Sequence, residues 1–200
     1  MKFAWLPRTA ALLAGALVLA GCGADEGSIS DQARQGDNKN YIAGDGSIET
    51  LSAGERKGPV TVSGSTLEGK KWNVSDERGT VVVLNVWGAW CGPCQNEMPH
   101  LQKVWSQYEK KDAPVQFMGL DQRDSVAAAQ STLDKFGVSY PSLRDDGGKT
   151  LLGLQGKAAT TPTTLVLDRS GRIAARVSGE TSEATLRTLV DDVVKESASS

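Results

Sequence analysis

The chain is short of the residues that bind metals and cross-link small secreted scaffolds. Its 200 residues hold three cysteines and a single histidine, His100. A structural zinc site takes about four ligands, which this inventory can hardly supply. Three cysteines are also too few for a disulfide-dense fold, so an apolar core has to carry the stability. Long apolar runs are missing as well. Residues 10–20 are apolar or small, about a dozen positions, whereas a helix crossing a bilayer core of ~30 Å needs ~20. There is no basic excess: 22 Lys and Arg face 24 Asp and Glu, a formal net charge of −2. That gives no electrostatic footprint for nucleic acid. The length suits one ordinary domain with a proper core and some extra chain.

What the first residues do contain is informative. Lys2 and Arg8 precede the short apolar run, and no acid occurs before Cys22. This is the charge and length pattern of a secretory signal. The run ends in Leu19-Ala20-Gly21-Cys22, which resembles the lipobox of bacterial lipoproteins. The resemblance implies cleavage before Cys22 and lipidation of that residue, with residues 1–21 removed. Each buried CH₂ of an acyl chain contributes ~0.8 kcal/mol, and several chains together anchor stably. An ordinary secretory signal with a chance cysteine is the competing reading. Residues 22–57 are rich in Gly, Ser, Asp, Gln and Asn and poor in large apolar side chains, so they read as a flexible tether. Residues 58–200 read as the folded domain, with a frayed tail from Ser197 to Ser200.

Within the domain, Pro59 to Val74 alternates apolar and polar residues around Leu67-Glu68-Gly69-Lys70, a β-hairpin pattern. Thr80 to Trp87 is a valine-rich apolar run and predicts a strand buried on both faces. A helix opens near Cys91, with Met98, Leu101, Trp105 and Tyr108 along one face. Val115 to Leu120 predicts a second buried strand. A helix follows to about Phe136, with Asp124 as its N-cap and Gly137 as its stop. Tyr140 to Leu143 is short and extended, and Lys149 to Leu154 suits a helical turn. Two strands, Thr163 to Asp168 and Arg172 to Gly179, are joined by Asp168-Arg169-Ser170-Gly171. A last helix runs from Thr181 to Glu196. The order predicts an α/β fold: a central mixed β-sheet flanked by helices, with an N-terminal β-hairpin.

Trp90-Cys91-Gly92-Pro93-Cys94 carries the chemistry. It follows a buried strand and opens a helix. A thiolate, not a thiol, attacks disulfides, and a helix N-terminus offers free N–H groups with about half a positive charge. The spacing predicts an exposed Cys91 at that tip and a deeper Cys94 one turn on. Gly92 leaves the approach open, and Pro93 fits a first turn where no N–H partner is lost. Such a pair can exchange disulfides through a mixed disulfide on Cys91 that Cys94 resolves. Half a zinc site and a purely structural disulfide are the other readings of the pair. Glu97, three residues beyond Cys94 on the same helix face, is a candidate proton shuttle whose burial would raise its pKa. His100 is given no chemistry, and Asp145-Asp146 reads as a solvated turn.

Val81 to Pro99, VVVLNVWGAWCGPCQNEMP, resembles the thioredoxin superfamily, and within it the extracytoplasmic ResA/TlpA-like branch. Thr160-Thr161-Pro162-Thr163-Thr164-Leu165 resembles that family's second hallmark, a cis-proline facing the active-site disulfide. The likeness runs from about Pro59 to the last helix. It implies a thioredoxin-like fold, Trp90 lining the site, and substrate backbone pairing at Thr161 and Pro162. It also implies that Glu97 tunes the cysteines. Asn85 stands where cytoplasmic thioredoxins usually hold a buried Asp, which moves the proton role toward Glu97. The function implied is a membrane-tethered reductase of protein disulfides that needs no cofactor. Apocytochrome c is the substrate suggested by the branch, and a transmembrane thiol carrier the electron donor. The same chemistry run backwards, as an oxidant of exported proteins, is one alternative. A copper chaperone of the same fold is another, although those are expected to show wider cysteine spacing and a partner histidine.

Overall fold

The computed structural model describes Met1 and residues 43–198 apart from 112 and 146, with backbone only for 197 and 198. The signal, Cys22 and most of the tether therefore lie outside the described residues.

Among the described residues six strands make the main sheet, in the order β1-β8-β7-β4-β5-β6. The centre is β4, Val81–Trp87, whose seven residues are all buried. A mainly apolar run needs cover on both faces, and the alternation of side chains across a strand sorts it. Val81 and Val83 enter one core with Leu101, Val104 and Leu186. Val82, Leu84 and Val86 enter the opposite one with Val60, Val62 and Leu154. On one side β4 pairs in parallel with β5, Val115–Gln122, and β5 in parallel with β6, Ser142–Asp145. On the other it pairs antiparallel with β7, Thr163–Leu167. Strand β7 in turn pairs antiparallel with β8, Ile173–Ser178. The expected mixed sheet is present. So is the hairpin, as β2, Ser63–Ser65, against β3, Lys71–Asn73.

The helices follow the periodicity. Helix α1, Gly92–Glu109, and α4, Glu183–Ala198, cover one face. Helix α2, Val126–Phe136, packs Ala129 and Leu133 against a third cluster containing Trp87, Met98 and both active-site cysteines. Helix α3 is the short turn Lys149–Leu152.

Two expectations need correction. The tether was placed through residue 57, but β1, Ser47–Thr50, pairs with β8 as an edge strand of the main sheet. Arg56 is buried beyond it, ion-paired to Asp168 at 3.1 Å and to Glu196. This stretch lacks apolar bulk, and backbone pairing and one buried cation hold it instead. Asp145 is not a solvated turn residue. It is 3% exposed and accepts hydrogen bonds from Lys149 N and Thr150 Oγ1.

Candidate active site

Strand β4 delivers the chain to the sheet's end at Trp87, and a three-residue loop leads into α1. Cys91 is the N-cap of that helix, in extended conformation at φ −95°, ψ 106°. Its Sγ accepts the N–H of Cys94 at 3.2 Å. Gly92 and Pro93 fill the first helical positions, as expected, and Gly92 has no neighbouring heavy atom within 4 Å of where a side chain would begin. Cys91 and Cys94 form a disulfide with Cα atoms 5.3 Å apart.

Cys91 is not exposed. Both cysteines have 0% accessibility. The Cys91 sulfur turns inward, bonded to Cys94 and facing that residue's N–H, and the pair joins the cluster of Leu67, Trp87, Met98 and Leu133. Half-buried Trp90 packs on the same cluster. Gly92, between the two cysteines in sequence, is exposed. A reactive sulfur at a helix tip keeps its electrostatics when covered, because the Cys94 N–H remains aimed at it. Reaching it requires the covering side chains to move.

A clamp that sequence reasoning missed holds the loop before Cys91. Ala89 N donates to Asp124 Oδ2 at 2.5 Å, Trp90 Nε1 donates to Gln122 O at 2.9 Å, and the Arg123 guanidinium sits 4.6 Å from the Trp90 ring centroid. The indole lies so close to Gly88 that a Cβ there would meet it at 2.6 Å. Asp124 was expected to cap α2. Ser125 does so, accepting the N–H of Ala128, which leaves the Asp124 carboxylate for the active-site loop.

Glu97 lies on the first turns of α1 with 0% exposure. Its Oε1 accepts Asn85 Nδ2 at 2.7 Å, and its Oε2 accepts Thr181 N at 3.0 Å. Burial pushes its pKa up to about 8, against those two donors, which pull it down, and with help from the charge of Glu180. Asn85 Nδ2 also reaches Thr164 Oγ1 at 3.1 Å, while Asn85 Oδ1 is buried without a partner. Thr181 carried no sequence signal, since only its backbone acts. His100, on the same helix, reaches this centre with its Nδ1 3.2 Å from Thr181 O.

The Thr161-Pro162 peptide is cis. Thr163, the next residue, pairs with Val86 at the end of β4 that leads to Cys91. Fold topology therefore places Thr161 and Pro162 at the same end of the sheet as the disulfide. Trp87 is packing, with its Nε1 on Ser142 Oγ at 3.3 Å. Among the described residues no group of three or more His, Cys, Asp and Glu is placed to hold a metal.

Residues 57–176 match the model of the AhpC/TSA family. The chain belongs to that family. A thiol-disulfide oxidoreductase ResA of Bacillus thuringiensis is 32% identical over 120 residues, covering 60% of this chain and 67% of the relative. Two solved structures share the fold. A secreted thiol-disulfide isomerase from Corynebacterium glutamicum is 30% identical, with TM-score 0.70 over 76% of this chain and 94% of the other. A DsbF homologue from Corynebacterium diphtheriae is 33% identical, with TM-score 0.66 over 72% and 92%. With the Cys91–Cys94 pair at its helix tip, this chain is a thiol–disulfide oxidoreductase of thioredoxin-like fold.

Proposed function

We propose that the protein is a lipid-anchored reductase of protein disulfides outside the cytoplasmic membrane, with apocytochrome c as its substrate. The observation that carries the reductive reading is the pairing of a helix-tip disulfide with a buried, proton-holding Glu97 behind it. In the reduced enzyme Cys91 is the attacking thiolate. It breaks a substrate disulfide, bonding to one sulfur and releasing the other as a thiolate that takes up a proton. Cys94 loses its proton and attacks Cys91 Sγ. The second substrate thiol leaves, and the Cys91–Cys94 bond re-forms. Two electrons have then passed to the substrate. Glu97 ionised is the base for the Cys94 proton, and a pKa near 8 lets it gain and lose that proton at neutral pH. The Gly92-Pro93 dipeptide, as in reducing thioredoxins, supports the same direction.

Substrate lies along Trp90, Gly92 and Pro93, with its extended backbone beside Thr161 and Pro162. A transmembrane thiol carrier restores the dithiol, because no soluble thiol pool does so outside the membrane. The lipid on Cys22 supplies the anchor. Among the described residues no helix is long and apolar enough to cross a membrane, and an acyl anchor needs none.

Trapping tests the reading. Cys94→Ser cannot resolve the mixed disulfide, so substrate stays bonded to Cys91. Recovery of apocytochrome c is the expected result. A broad set of secreted proteins, with a redox potential near −120 mV as in strong oxidants, would reverse the direction to oxidase. Fatty-acid labelling that persists in Cys22→Ser would remove the anchor.

A further inference from the structure

Residues 178–181 touch two separate parts of the proposed catalytic apparatus. Gly179 N donates to Pro162 O at 2.9 Å, which ties this segment to the cis-proline turn. Ser178 Oγ is 2.9 Å from Thr160 Oγ1, which is itself 3.0 Å from Thr163 Oγ1. Two residues on, Thr181 N holds Glu97 Oε2, and Thr181 O faces His100. The segment is thus a buckle between the proposed substrate turn and the buried carboxyl.

The outer side of that buckle rests on residues 44–46. Gly46 N donates to Ser178 O at 2.6 Å. Gly44 lies so close that a Cβ there would overlap Gly179 N and the Ser178 carbonyl group. From the other side, a Cβ on Gly179 would meet Gly46 N at 3.0 Å and Gly44 O at 3.1 Å, and Gly179 is at φ +106°. Backbone meets backbone on both sides with no room for a side chain. Contact of this kind transmits displacement, since packed interiors yield little. Only glycine fits there.

We infer that Gly44 and Gly179 are positioning residues for the active site: their backbone contact holds the 178–181 segment so that Thr181 N meets Glu97. The inference rests on the proposed role of Glu97 only for its consequence in exchange, not for the contact itself. A methyl at Gly44 must push Gly179 inward or lift the chain away, and either movement pulls Thr181 N off the carboxylate. The groups left facing Glu97 are Asn85 from β4, Glu180 from the same loop, Tyr140 from the segment before β6, and His100 across the Thr181 carbonyl. None of them replaces the lost donor.

The test is a titration of the Glu97 carboxyl by carbon-13 NMR in the full oxidised chain, assigned with Glu97→Gln. A hydrogen bond to a charged group contributes about 1.5 kcal/mol or more, so Gly44→Ala is expected to raise the midpoint by about one pH unit. Gly46 is the control. It is at φ +78° with nothing within 4 Å of an added methyl, so Gly46→Ala strains the root without pushing Gly179. An unmoved midpoint in Gly44→Ala overturns the inference, and so does an equal shift in Gly46→Ala. Should Gly44→Ala not fold, Gly179→Ala presses on the same contact more gently and must shift the midpoint the same way. The pH profile of disulfide exchange separates the two ideas. A moved carboxyl midpoint with an unmoved exchange profile leaves the positioning intact and removes Glu97 from the proton step.

Discussion

Glu97→Gln isolates the cost of keeping a carboxyl in the core. The wild-type side chain has no exposed surface, and its pKa stands at about 8 against an ordinary 4.5. Between those values the unfolded chain has released the proton while the folded chain still holds it. Folding therefore takes up a proton in that window. The stability associated with this group is fully present below about pH 4.5 and declines as pH rises through the folded midpoint, by about 1.4 kcal/mol per unit. From pH 5 to pH 8 the wild type should lose about 3 kcal/mol from this source. Glutamine does not titrate, and the amide of Asn85 can turn to offer it an acceptor. The variant should match the wild type within about 1 kcal/mol at pH 5 and exceed it by up to about 3 kcal/mol at pH 8. Urea unfolding of the oxidised protein across that range, followed by tryptophan fluorescence, measures the difference. Subtraction of the two curves removes the titration of every other group. Parallel curves would refute the reasoning, since they would mean that Glu97 is already ionised in the fold and that its site is better solvated than its burial indicates.

Asn85→Asp would set two carboxyls 2.7 Å apart. One must then stay protonated, and the alkaline limb of the exchange-rate profile should move up by at least about one unit, read by stopped-flow fluorescence. Asp168→Ala would strip Arg56, whose side chain is 5% exposed, of one partner. A loss of about 3 kcal/mol in urea is expected. In the wild type, burial tends to raise the Asp168 pKa, but hydrogen bonds from Arg172 and Arg56 outweigh it and hold the carboxyl below its ordinary value. Its stabilisation is therefore present at neutral pH and fades as pH falls through that depressed midpoint, visible as an acid limb in wild type that Asp168→Ala lacks. Gly119→Ala would drive a methyl into Ser142 Oγ and to 2.7 Å from Trp87 Nε1. A melting temperature lowered in line with about 1–3 kcal/mol is expected.

What the sequence made legible was whatever is encoded by neighbours along the chain. A valine-rich run of six apolar residues and one asparagine announced the central strand, and Cys91-Gly92-Pro93-Cys94 announced its helix tip, because each is a local pattern with a local cause. Residue 97 could be placed one turn past Cys94 by the helical period alone. Its burial and its partner Thr181 could not, because they depend on a loop 84 positions away that contributes a backbone N–H. Strand β1 was misread for a related reason. Its four residues, Ser47–Thr50, carry little apolar surface, and their pairing with β8 is written in hydrogen bonds rather than composition. Asp124 shows the limit of capping rules: Asp and Ser stood side by side, either could cap, and the structure gave the cap to Ser125 and the active-site loop to Asp124.

The covered disulfide is the point where local reading and tertiary structure part most sharply, and magnitudes reconcile them. The loop of residues 88–90 is fastened to residues 122–124 by side-chain contacts rather than by the sheet. Moving Trp90 aside forfeits at least its hydrogen bond to Gln122 O, about 1 kcal/mol, and its cation–π contact with Arg123, about 0.5–1 kcal/mol. Each 1.4 kcal/mol or so of opening cost slows attack about tenfold, and the gain from a thiolate stabilised at a helix tip stands against it. Arg123 sits at φ 54° at the hinge of this clamp, a conformation a non-glycine residue adopts at a cost of about 1 kcal/mol or more. Exchange at Cys91, 0% exposed with the loop fastened as it is, therefore requires the loop's side-chain contacts to yield.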